Sequence, residues 1–253
     1  MNLDKKTALI TGATSGIGRA SAIELAKNGV NLIICGRRQE RLVNLQIELN
    51  DFALIHTLNF DLRNKDQVFE AIKSLPEEFS NIDILINNAG NAHGLDPIDK
   101  GSVDDWDSML DINVKGLLYV SKAIIPQMTK RRSGHIINIG STAGKEVYPK
   151  GNVYCASKHA VDAITQGMRI DLNQYGIRVG AVNPGMVETE FSNVRFKGDD
   201  EKAKSVYEGF KPLTPKDVAE IIYFIISRPT HVNIADLMVM STAQASSTIV
   251  KRD

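Results

Sequence analysis

Two side chains in the second half of the sequence have the spacing of an acid/base pair. Tyr154 and Lys158 are four residues apart, which places them on one face of a helix. A free tyrosine has a pKa of about 10 and is a poor base at neutral pH. A nearby ammonium group favours the phenolate, so the pair is a candidate general acid or base for an alcohol or a carbonyl group.

A second tyrosine and lysine with the same spacing occur at Tyr207 and Lys211. That segment contains Gly209, so it lacks a stable helical frame. The Tyr154 pair has a further partner, because Ser141 ends a predicted strand and its hydroxyl can bind the substrate oxygen beside Tyr154. A core tyrosine next to a surface lysine is the alternative for either pair. The other motifs favour the chemical interpretation for Tyr154.

A glycine-rich turn joins the first predicted strand to the first predicted helix. Gly12 permits a tight turn, Gly16 lets the backbone approach a pyrophosphate, and Gly18 lets the helix pack closely on the sheet. The helix N-terminus then faces the anion, although a flexible turn without a ligand is the alternative. The residues predicted to bind the cofactor here are Thr11, Gly12, Ala13, Thr14, Ser15, Gly16, Ile17 and Gly18.

The end of the second predicted strand indicates which dinucleotide binds. An acidic residue at this place would bind a ribose 2′-hydroxyl group. The sequence instead has Arg37 and Arg38, whose guanidinium groups can hold a 2′-phosphate through paired hydrogen bonds. These arginines, with Arg41, would otherwise only begin a solvated helix. The missing acid and the doubled arginine favour NADP(H) over NAD(H).

Short β-branched runs alternate with longer amphipathic stretches along the chain. Strands are predicted over 7–11, 31–35, 54–60, 82–87, 135–139, 177–183 and 237–240. Helices are predicted over 16–28, 39–50, 65–75, from the Ser102 cap toward 130, 153–175 and 214–227. Pro126 is expected to bend or end the fourth helix. The polar residues 193–209 are expected to be a mobile insertion.

This alternation predicts one α/β domain over residues 1–253. Continuous apolar strands joined by helices form a parallel sheet covered on both faces, which is a doubly wound, Rossmann-type fold of about seven strands. Its ligand site lies at the carboxyl ends of the strands. The segment 189–212 follows the sixth strand and is predicted to be a mobile substrate lid.

Composition excludes several other classes of protein. The 253 residues carry 30 Lys and Arg against 30 Asp and Glu, so no strongly basic surface is available for nucleic acid. Only Cys35 and Cys155 are present, and no cysteine or histidine cluster offers a metal site. No apolar run is long enough to span a membrane and no signal-peptide stretch occurs, so we expect a cytoplasmic protein.

Together these motifs resemble the short-chain dehydrogenase/reductase family over nearly the whole chain. In that family Asn113, Ser141, Tyr154 and Lys158 would form a catalytic tetrad. The resemblance implies that Tyr154 transfers the proton, Ser141 orients the oxygen and Asn113 positions a relay water. It also implies that Lys158 holds the nicotinamide ribose and lowers the Tyr154 pKa. The further cofactor contacts that it implies are Asp61, Leu62, Asn88, Ala89, Gly90, Pro184, Gly185, Val187 and Thr189.

Several segments resemble the branch of NADP-dependent 3-hydroxy acid dehydrogenases. They are 191–200, 213–218 and 229–234. Such enzymes exchange a hydride between NADP(H) and a small hydroxy acid or semialdehyde. A 3-oxoacyl-carrier-protein reductase is the alternative enzyme, but the glycine-rich final strand of those proteins is missing here. A non-catalytic NADP-binding redox sensor is the alternative of another class, although sensors often lose the tyrosine or the lysine.

The carboxylate of a hydroxy acid needs a cation close to the reacting carbon, because an unpaired buried charge is costly. Lys158 is assigned to the ribose, and the arginines after the second strand lie at the adenosine end. Arg195 is the first cation of the predicted lid, and its planar fork suits a carboxylate. Lys145 and Lys150 are rivals, and a solvated arginine is the simpler alternative. The resemblance also implies a homo-oligomer, usually a tetramer.

Overall fold

A seven-stranded parallel sheet forms the centre of the molecule. The computed structural model describes residues 3–253. The strand order is β3-β2-β1-β4-β5-β6-β7, and every neighbouring pair is parallel. The strands are β1 (Thr7–Thr11), β2 (Asn31–Gly36), β3 (Ile55–Asn59), β4 (Ile84–Asn87), β5 (Gly134–Ile139), β6 (Ile177–Pro184) and β7 (Asp236–Val239). The predicted doubly wound sheet is confirmed.

Helices cover both faces of this sheet. They are α1 (Gly16–Lys27), α2 (Gln39–Leu49), α3 (Lys65–Lys73), α4 (Val103–Leu110), α5 (Leu117–Arg131), α6 (Asn152–Leu172), α7 (Phe191–Arg195), α8 (Asp200–Ser205) and α9 (Pro215–Ile226). A π-helical segment, Asp111–Gly116, connects α4 to α5. Among the described residues, no helix has the length and the apolarity that a membrane span requires.

Alternate residues of the central strands supply two hydrophobic cores. On β1, Ile10 packs with the helices α1, α2 and α9, while its neighbour Leu9 packs with α3, α5 and α6. Both side chains are fully buried. Since successive strand side chains point to opposite faces, a strand with a helical layer on each side must be apolar along its whole length. This explains the continuous apolar runs in the sequence.

Local signals fix several helix starts as predicted. The Ser102 side chain accepts a hydrogen bond from the Asp105 amide at the start of α4. Thr214 and Asp217 form a reciprocal capping box at the start of α9. Strand and helix bounds differ from the predictions by one or two residues at most elements. The predicted third strand over 54–60, for example, is Ile55–Asn59.

The fourth predicted helix and the polar insertion both contain detail that the sequence patterns did not give. The fourth helix does not end at Pro126, because α5 continues past it to Arg131. The irregularity lies instead at the π-helical segment, ten or more residues earlier in the chain. The polar insertion includes the end of the short helix α7 and all of α8, and its mobility stays a prediction. Asp199 caps α8 by accepting a hydrogen bond from the Lys202 amide.

Candidate active site

A single deep cleft of about 950 Å³ lies at the carboxyl ends of the strands. Strands β1 and β4 are neighbours in the sheet. From this pair the chain adds β2 and β3 on one side and β5, β6 and β7 on the other, so the strand order reverses between β1 and β4. Open parallel sheets bind their ligands at such a switch point. The loops that follow β1, β4, β5 and β6 all contribute residues to the cleft wall.

The glycine turn is shaped as an anion cradle in the floor of the cleft. Gly12 and Gly16 have positive φ angles of 66° and 51°, a conformation that glycine adopts without strain. A Cβ atom on Gly18 would lie 2.4 Å from the Gly12 carbonyl oxygen, so only glycine fits there. The turn opens directly into the N-terminus of the 12-residue helix α1. This arrangement fits a dinucleotide pyrophosphate.

Thr11 and Asn88 join the glycine turn to the end of β4. The Thr11 hydroxyl accepts hydrogen bonds of 3.0 Å from the amides of Asn88 and Ala89. The Asn88 side chain donates to the Thr11 carbonyl oxygen at 2.9 Å. The side chain of Thr11 therefore holds the cradle together and does not line the cleft, and its contact with the cofactor stays a prediction.

Two arginines directly follow the end of β2, where the sequence predicts recognition of a 2′-phosphate. Arg38 donates to the hydroxyls of Thr14 and Ser15 at 2.9 and 2.8 Å, which holds it against the glycine turn. Arg37 is more than half exposed and lies 3.8 Å from a carboxylate oxygen of Asp61. Both guanidinium groups line the cleft. Their charge and reach fit a phosphate group in this position.

The predicted acid/base residues lie together on the opposite wall of the cleft. Tyr154 and Lys158 are 9% and 7% exposed, on successive turns of α6. The Ser141 hydroxyl is hydrogen-bonded to the Tyr154 phenol. Lys158 donates from its Nζ atom to the Ile139 carbonyl oxygen at 2.9 Å. The ammonium has two further donors besides this bond, and Lys158 lines the cleft.

Burial dominates the electrostatics of this pair. It raises the pKa of Tyr154 above its ordinary value, while the hydrogen bond with Ser141 and the charge of Arg195 lower it in part. The lowering of the Tyr154 pKa by Lys158, which the family resemblance implies, stays a prediction. Burial also lowers the pKa of Lys158 to about 8. Tyr154 is therefore protonated at neutral pH and ready to donate a proton.

Asn113 lies behind the cleft wall rather than on it. Its side chain is 2% exposed and donates hydrogen bonds to the Asn91 carbonyl oxygen and the Ser157 hydroxyl at 2.9 and 3.0 Å. Its carbonyl oxygen accepts from the Asn91 amide at 2.8 Å. The relay-water role that the family resemblance implies for Asn113 stays a prediction. Its side-chain contacts join α6 to the loop after β4.

Arg195 reaches from the short helix α7 into the cleft. Its guanidinium lies 5.6 Å from the ring centres of both Tyr148 and Tyr154. It donates to the Tyr148 hydroxyl at 3.0 Å and to the Gly94 carbonyl oxygen at 3.2 Å. The Gly94 amide in turn donates to the Arg195 carbonyl oxygen at 3.0 Å. A cation is therefore fixed beside the phenol of the acid/base pair.

The two rival lysines do not line the cleft. Lys145 forms ion pairs of 2.7 and 3.0 Å with Asp162 and Asp236, so its charge is already compensated. Lys150 is exposed, with a positive φ angle of 65°. Neither interaction was apparent from the sequence, because the two aspartates come from distant parts of the chain.

The structure also separates the two tyrosine and lysine pairs. Tyr207 is partly buried, but its hydroxyl is engaged with the Ser192 hydroxyl and the Val187 carbonyl oxygen, both at 2.9 Å. Tyr207 follows the end of α8 and lies outside any helix, while Lys211 is exposed. The preference for Tyr154 over Tyr207 agrees with this geometry.

Most predicted site residues line the cleft: Gly12, Thr14, Ser15, Gly16, Ile17, Arg37, Arg38, Asp61, Leu62, Asn88, Ala89, Gly90, Ser141, Tyr154, Lys158, Pro184, Gly185, Val187, Thr189 and Arg195. Four do not line it: Thr11, Ala13, Gly18 and Asn113. Sequence reasoning missed several lining residues, among them His93, Tyr148, Glu190, Gln244, Ser247 and Arg252. None of these residues belongs to a motif that the sequence patterns single out.

Comparisons with known proteins agree with this geometry. The family model for short chain dehydrogenases matches residues 6–200. The NADP-dependent 3-hydroxy acid dehydrogenase YdfG of Escherichia coli (strain K12) is 48% identical over 94% of this chain and 95% of its own length. Sulfoacetaldehyde reductase 2 of Chromohalobacter salexigens is 44% identical over 97% of this chain and 98% of its own length.

A solved structure is similar over almost the whole fold. The closed form of a serine dehydrogenase complexed with NADP+ superimposes with a TM-score of 0.92 at 46% identity, covering 98% of this chain and all of that one. The family model and these relatives each extend over most of the 253 residues. The chain therefore belongs to the short chain dehydrogenase family.

Proposed function

We propose that this protein transfers a hydride between NADP(H) and a small 3-hydroxy acid, such as serine, L-allo-threonine or 3-hydroxypropionate, or the matching semialdehyde. The observation that carries the proposal is the placement of the Arg195 guanidinium 5.6 Å from the ring centre of Tyr154, in the same cleft. Tyr154 would handle a proton, and Arg195 offers a fixed positive charge close to it. A small hydroxy acid has the two groups that such a pair would bind, a hydroxyl and a carboxylate close together.

The cofactor site divides into two ends. The glycine turn would hold the pyrophosphate, and Arg37 and Arg38 would hold the 2′-phosphate at the adenosine end. Lys158 lies at the other end and would bind the nicotinamide ribose through its free donors. NADP-dependent relatives, and a similar structure complexed with NADP+, support the choice of this cofactor.

The bound cofactor supplies the two-electron chemistry, taking a hydride from the carbinol carbon or returning it. Tyr154 handles the proton at its Oη atom. In semialdehyde reduction, the phenol that burial keeps protonated gives its proton to the carbonyl oxygen. In alcohol oxidation, the same oxygen takes the hydroxyl proton, and the positive charges of Lys158 and Arg195 stabilise the phenolate that is needed. Ser141 orients the substrate oxygen.

The substrate carboxylate would bind to Arg195. The guanidinium is fixed by Tyr148 and by the Gly94 backbone, so little side-chain freedom is lost when an anion arrives. A paired, charge-assisted contact of this kind favours a planar anion over a neutral group. A sulfonate carries the same charge, and a relative named as a sulfoacetaldehyde reductase makes it the natural second anion to test.

Two alternative functions have less support. A 3-oxoacyl-carrier-protein reductase would need room for a long carrier arm, whereas Arg195 and Tyr148 narrow the cleft beside Tyr154. A redox sensor without catalysis would not need a buried acid/base pair. Here Tyr154, Ser141 and Lys158 are all held in the cleft wall.

We further propose that residues 189–212 act as a substrate lid in a protein of one domain over 1–253, and that the protein is a cytoplasmic homotetramer. The lid contains α7 and α8. It is attached to the rest of the fold in part by two hydrogen bonds, one from the Gly94 amide to the Arg195 carbonyl oxygen and one from the Arg195 side chain to the Gly94 carbonyl oxygen. The tetramer rests on the family resemblance alone. Size-exclusion chromatography with light scattering tests it.

The proposed function is tested by measuring reduction of NADP+ with a panel of alcohols. The panel contains L-serine, L-allo-threonine, 3-hydroxypropionate, a hydroxysulfonate and a neutral alcohol of similar size. We expect the 3-hydroxy acids to have the highest kcat/KM, and NADP+ to be preferred over NAD+. A neutral alcohol that matches the acids would contradict the substrate class. Tight cofactor binding without turnover of any substrate would support the sensor.

A further inference from the structure

A carboxylate of the chain itself lies on the arginines that are expected to hold the cofactor phosphate. Glu190 accepts a hydrogen bond of 2.8 Å from Arg38. It also accepts two from Arg41, at 2.7 and 3.0 Å. Glu190 lines the same cleft as Arg38 and immediately precedes helix α7. The residue was not singled out by any sequence motif, because the arginines lie about 150 positions earlier in the chain.

The position of the two arginines explains why an anion is bound there. Arg38 is the N-cap residue of α2, and Arg41 lies in the first turn of that helix. Cations at a helix N-terminus face the positive end of the helix dipole, which is unfavourable. The only carboxylate in that first turn is Glu40, and it does not pair with either arginine among the described ion pairs. Glu190 therefore compensates a charge that α2 itself leaves uncompensated.

We infer that Glu190 competes with the cofactor 2′-phosphate for Arg38 and thereby sets the affinity of the protein for NADP(H). The inference rests on the NADP(H) preference of the proposed function. The Nε and Nη2 atoms of Arg38 donate to Thr14 and Ser15, so a phosphate group that reaches this guanidinium must bind at Nη1. There it either displaces Glu190 or shares Nη1 with it. Two anions at one guanidinium repel each other.

Replacement of the Glu190 carboxylate by the cofactor phosphate at Arg38 is favourable. The side chains of Arg38 and Glu190 are 42% and 48% exposed, and ion pairs this exposed are weak. A phosphate monoester carries more charge than a carboxylate and has three acceptor oxygens. Burial raises the pKa of Glu190, but the hydrogen bonds from Arg38 and Arg41 outweigh it and hold that pKa below its usual range. Glu190 stays ionised at neutral pH and remains a competitor.

The test compares nucleotides that differ only in the 2′-phosphate. Binding of 2′,5′-ADP and of 5′-ADP to the full-length protein is measured by calorimetry for the wild type, Glu190→Gln and Glu188→Gln. Glu188 is an exposed carboxylate two positions away that does not line the cleft, so its variant is matched in net charge. We expect Glu190→Gln to bind 2′,5′-ADP about fivefold more tightly, the upper range for an exposed ion pair.

The affinity for 5′-ADP should not change in either variant, and Glu188→Gln should match the wild type with both nucleotides. In an Arg38→Ala background the gain from Glu190→Gln should disappear, because the shared guanidinium is gone. Weaker binding of 2′,5′-ADP by Glu190→Gln would overturn the inference and assign Glu190 to holding Arg38 in place.

An unchanged affinity would also overturn the inference, as would an equal gain in Glu188→Gln, which would indicate only a general charge effect. These results for the variants can be distinguished from an error in the proposed NADP(H) preference. If the wild type binds 2′,5′-ADP no more tightly than 5′-ADP, the NADP(H) preference itself is contradicted, whatever the variants do.

Discussion

The two walls of the cleft are built in different ways. The wall with Tyr154, Ser141 and Lys158 is buried and stands on the ends of β5 and α6, elements of the central sheet and its covering layer. The second wall is formed by the proposed lid, residues 189–212. It is joined to the rest by hydrogen bonds between Arg195 and Gly94 and by exposed ion pairs of Glu190. Groups that need an altered pKa lie in the buried wall, and groups that recognise charge lie in the exposed one.

The largest effect is expected in the buried wall. Tyr154→Phe keeps the aromatic ring but removes the hydroxyl that handles the proton. We expect kcat with a 3-hydroxy acid to fall by at least about 100-fold, the lower range for general acid–base catalysis. Cofactor affinity, measured by quenching or calorimetry, should change little.

Tyr207→Phe is the matched control, because it removes the same atom from a tyrosine in the lid. Its hydroxyl only bonds Ser192 and Val187, so turnover should stay close to that of the wild type. If Tyr207→Phe abolished turnover and Tyr154→Phe did not, the division of roles between the two walls would be reversed.

The next effect is expected in the lid. Arg195→Ala removes the cation that receives the substrate carboxylate. We expect KM for 3-hydroxy acids to rise roughly 10- to 100-fold, the range for losing a hydrogen bond to a charged group. The KM of a neutral alcohol of similar size should change little. Steady-state kinetics with both substrates measure the difference.

Lys202→Ala controls for loss of a positive charge elsewhere in the lid, since Lys202 pairs with Asp199 and does not line the cleft. It should leave both KM values unchanged. An equal loss of charged and neutral substrates in Arg195→Ala would show that Arg195 only orders the lid, through Gly94 and Tyr148.

A smaller effect is expected at the adenosine end. Arg37→Asp removes a cation near the 2′-phosphate and adds repulsion against it. Because Arg37 is exposed, we expect the affinity for NADP+ to fall by about tenfold, while the affinity for NAD+ changes much less. Titration with both cofactors gives the ratio. A wild-type protein that already prefers NAD+ would contradict the assignment of the arginines.

The smallest effect is a pH dependence of stability from the buried ammonium. Burial lowers the pKa of Lys158 to about 8 in the folded protein, below its value in the unfolded chain. The unfolded state therefore binds more protons, and the free energy of unfolding rises with pH through this interval. Between pH 7 and pH 9 we expect a gain of about 1 kcal/mol.

The measurement is denaturant unfolding of the wild type and of Lys158→Met at a series of pH values. The difference in unfolding free energy between the two proteins isolates the lysine from the other titrating groups. The variant should be the more stable of the two at pH 7, and the gap should narrow toward pH 9. A gap that widens with pH would contradict a buried ammonium with a lowered pKa.

Sequence patterns predicted the buried wall well because its geometry follows from the sheet. Apolar strands bury on both faces, their carboxyl ends must meet at one edge, and a tyrosine and a lysine four residues apart must share a helix face. The glycine turn carried a similar constraint, since Gly18 has no space for a side chain. These relations depend on residues that are close in the chain or on neighbouring strands.

The partners of several polar and charged side chains were predicted less well, because contacts between distant parts of the chain determine them. Glu190 pairs with arginines of α2, and Lys145 is paired with Asp162 and Asp236, so neither role was apparent locally. The same holds for Asn113, whose side chain binds Asn91 and Ser157 instead of facing the cleft. Charged side chains form ion pairs with groups that are close in the folded molecule. No local sequence pattern specifies that proximity.

The central claim is that Tyr154 and the cofactor together oxidise the carbinol carbon of a 3-hydroxy acid. The most direct measurement uses L-serine carrying deuterium at carbon 3, with mass analysis of the reduced cofactor that forms. We predict NADPH that contains one deuterium, formed by the wild type at least about 100-fold faster than by Tyr154→Phe. Reduced cofactor without deuterium, or deuterium transfer by Tyr154→Phe at the rate of the wild type, would contradict this reaction.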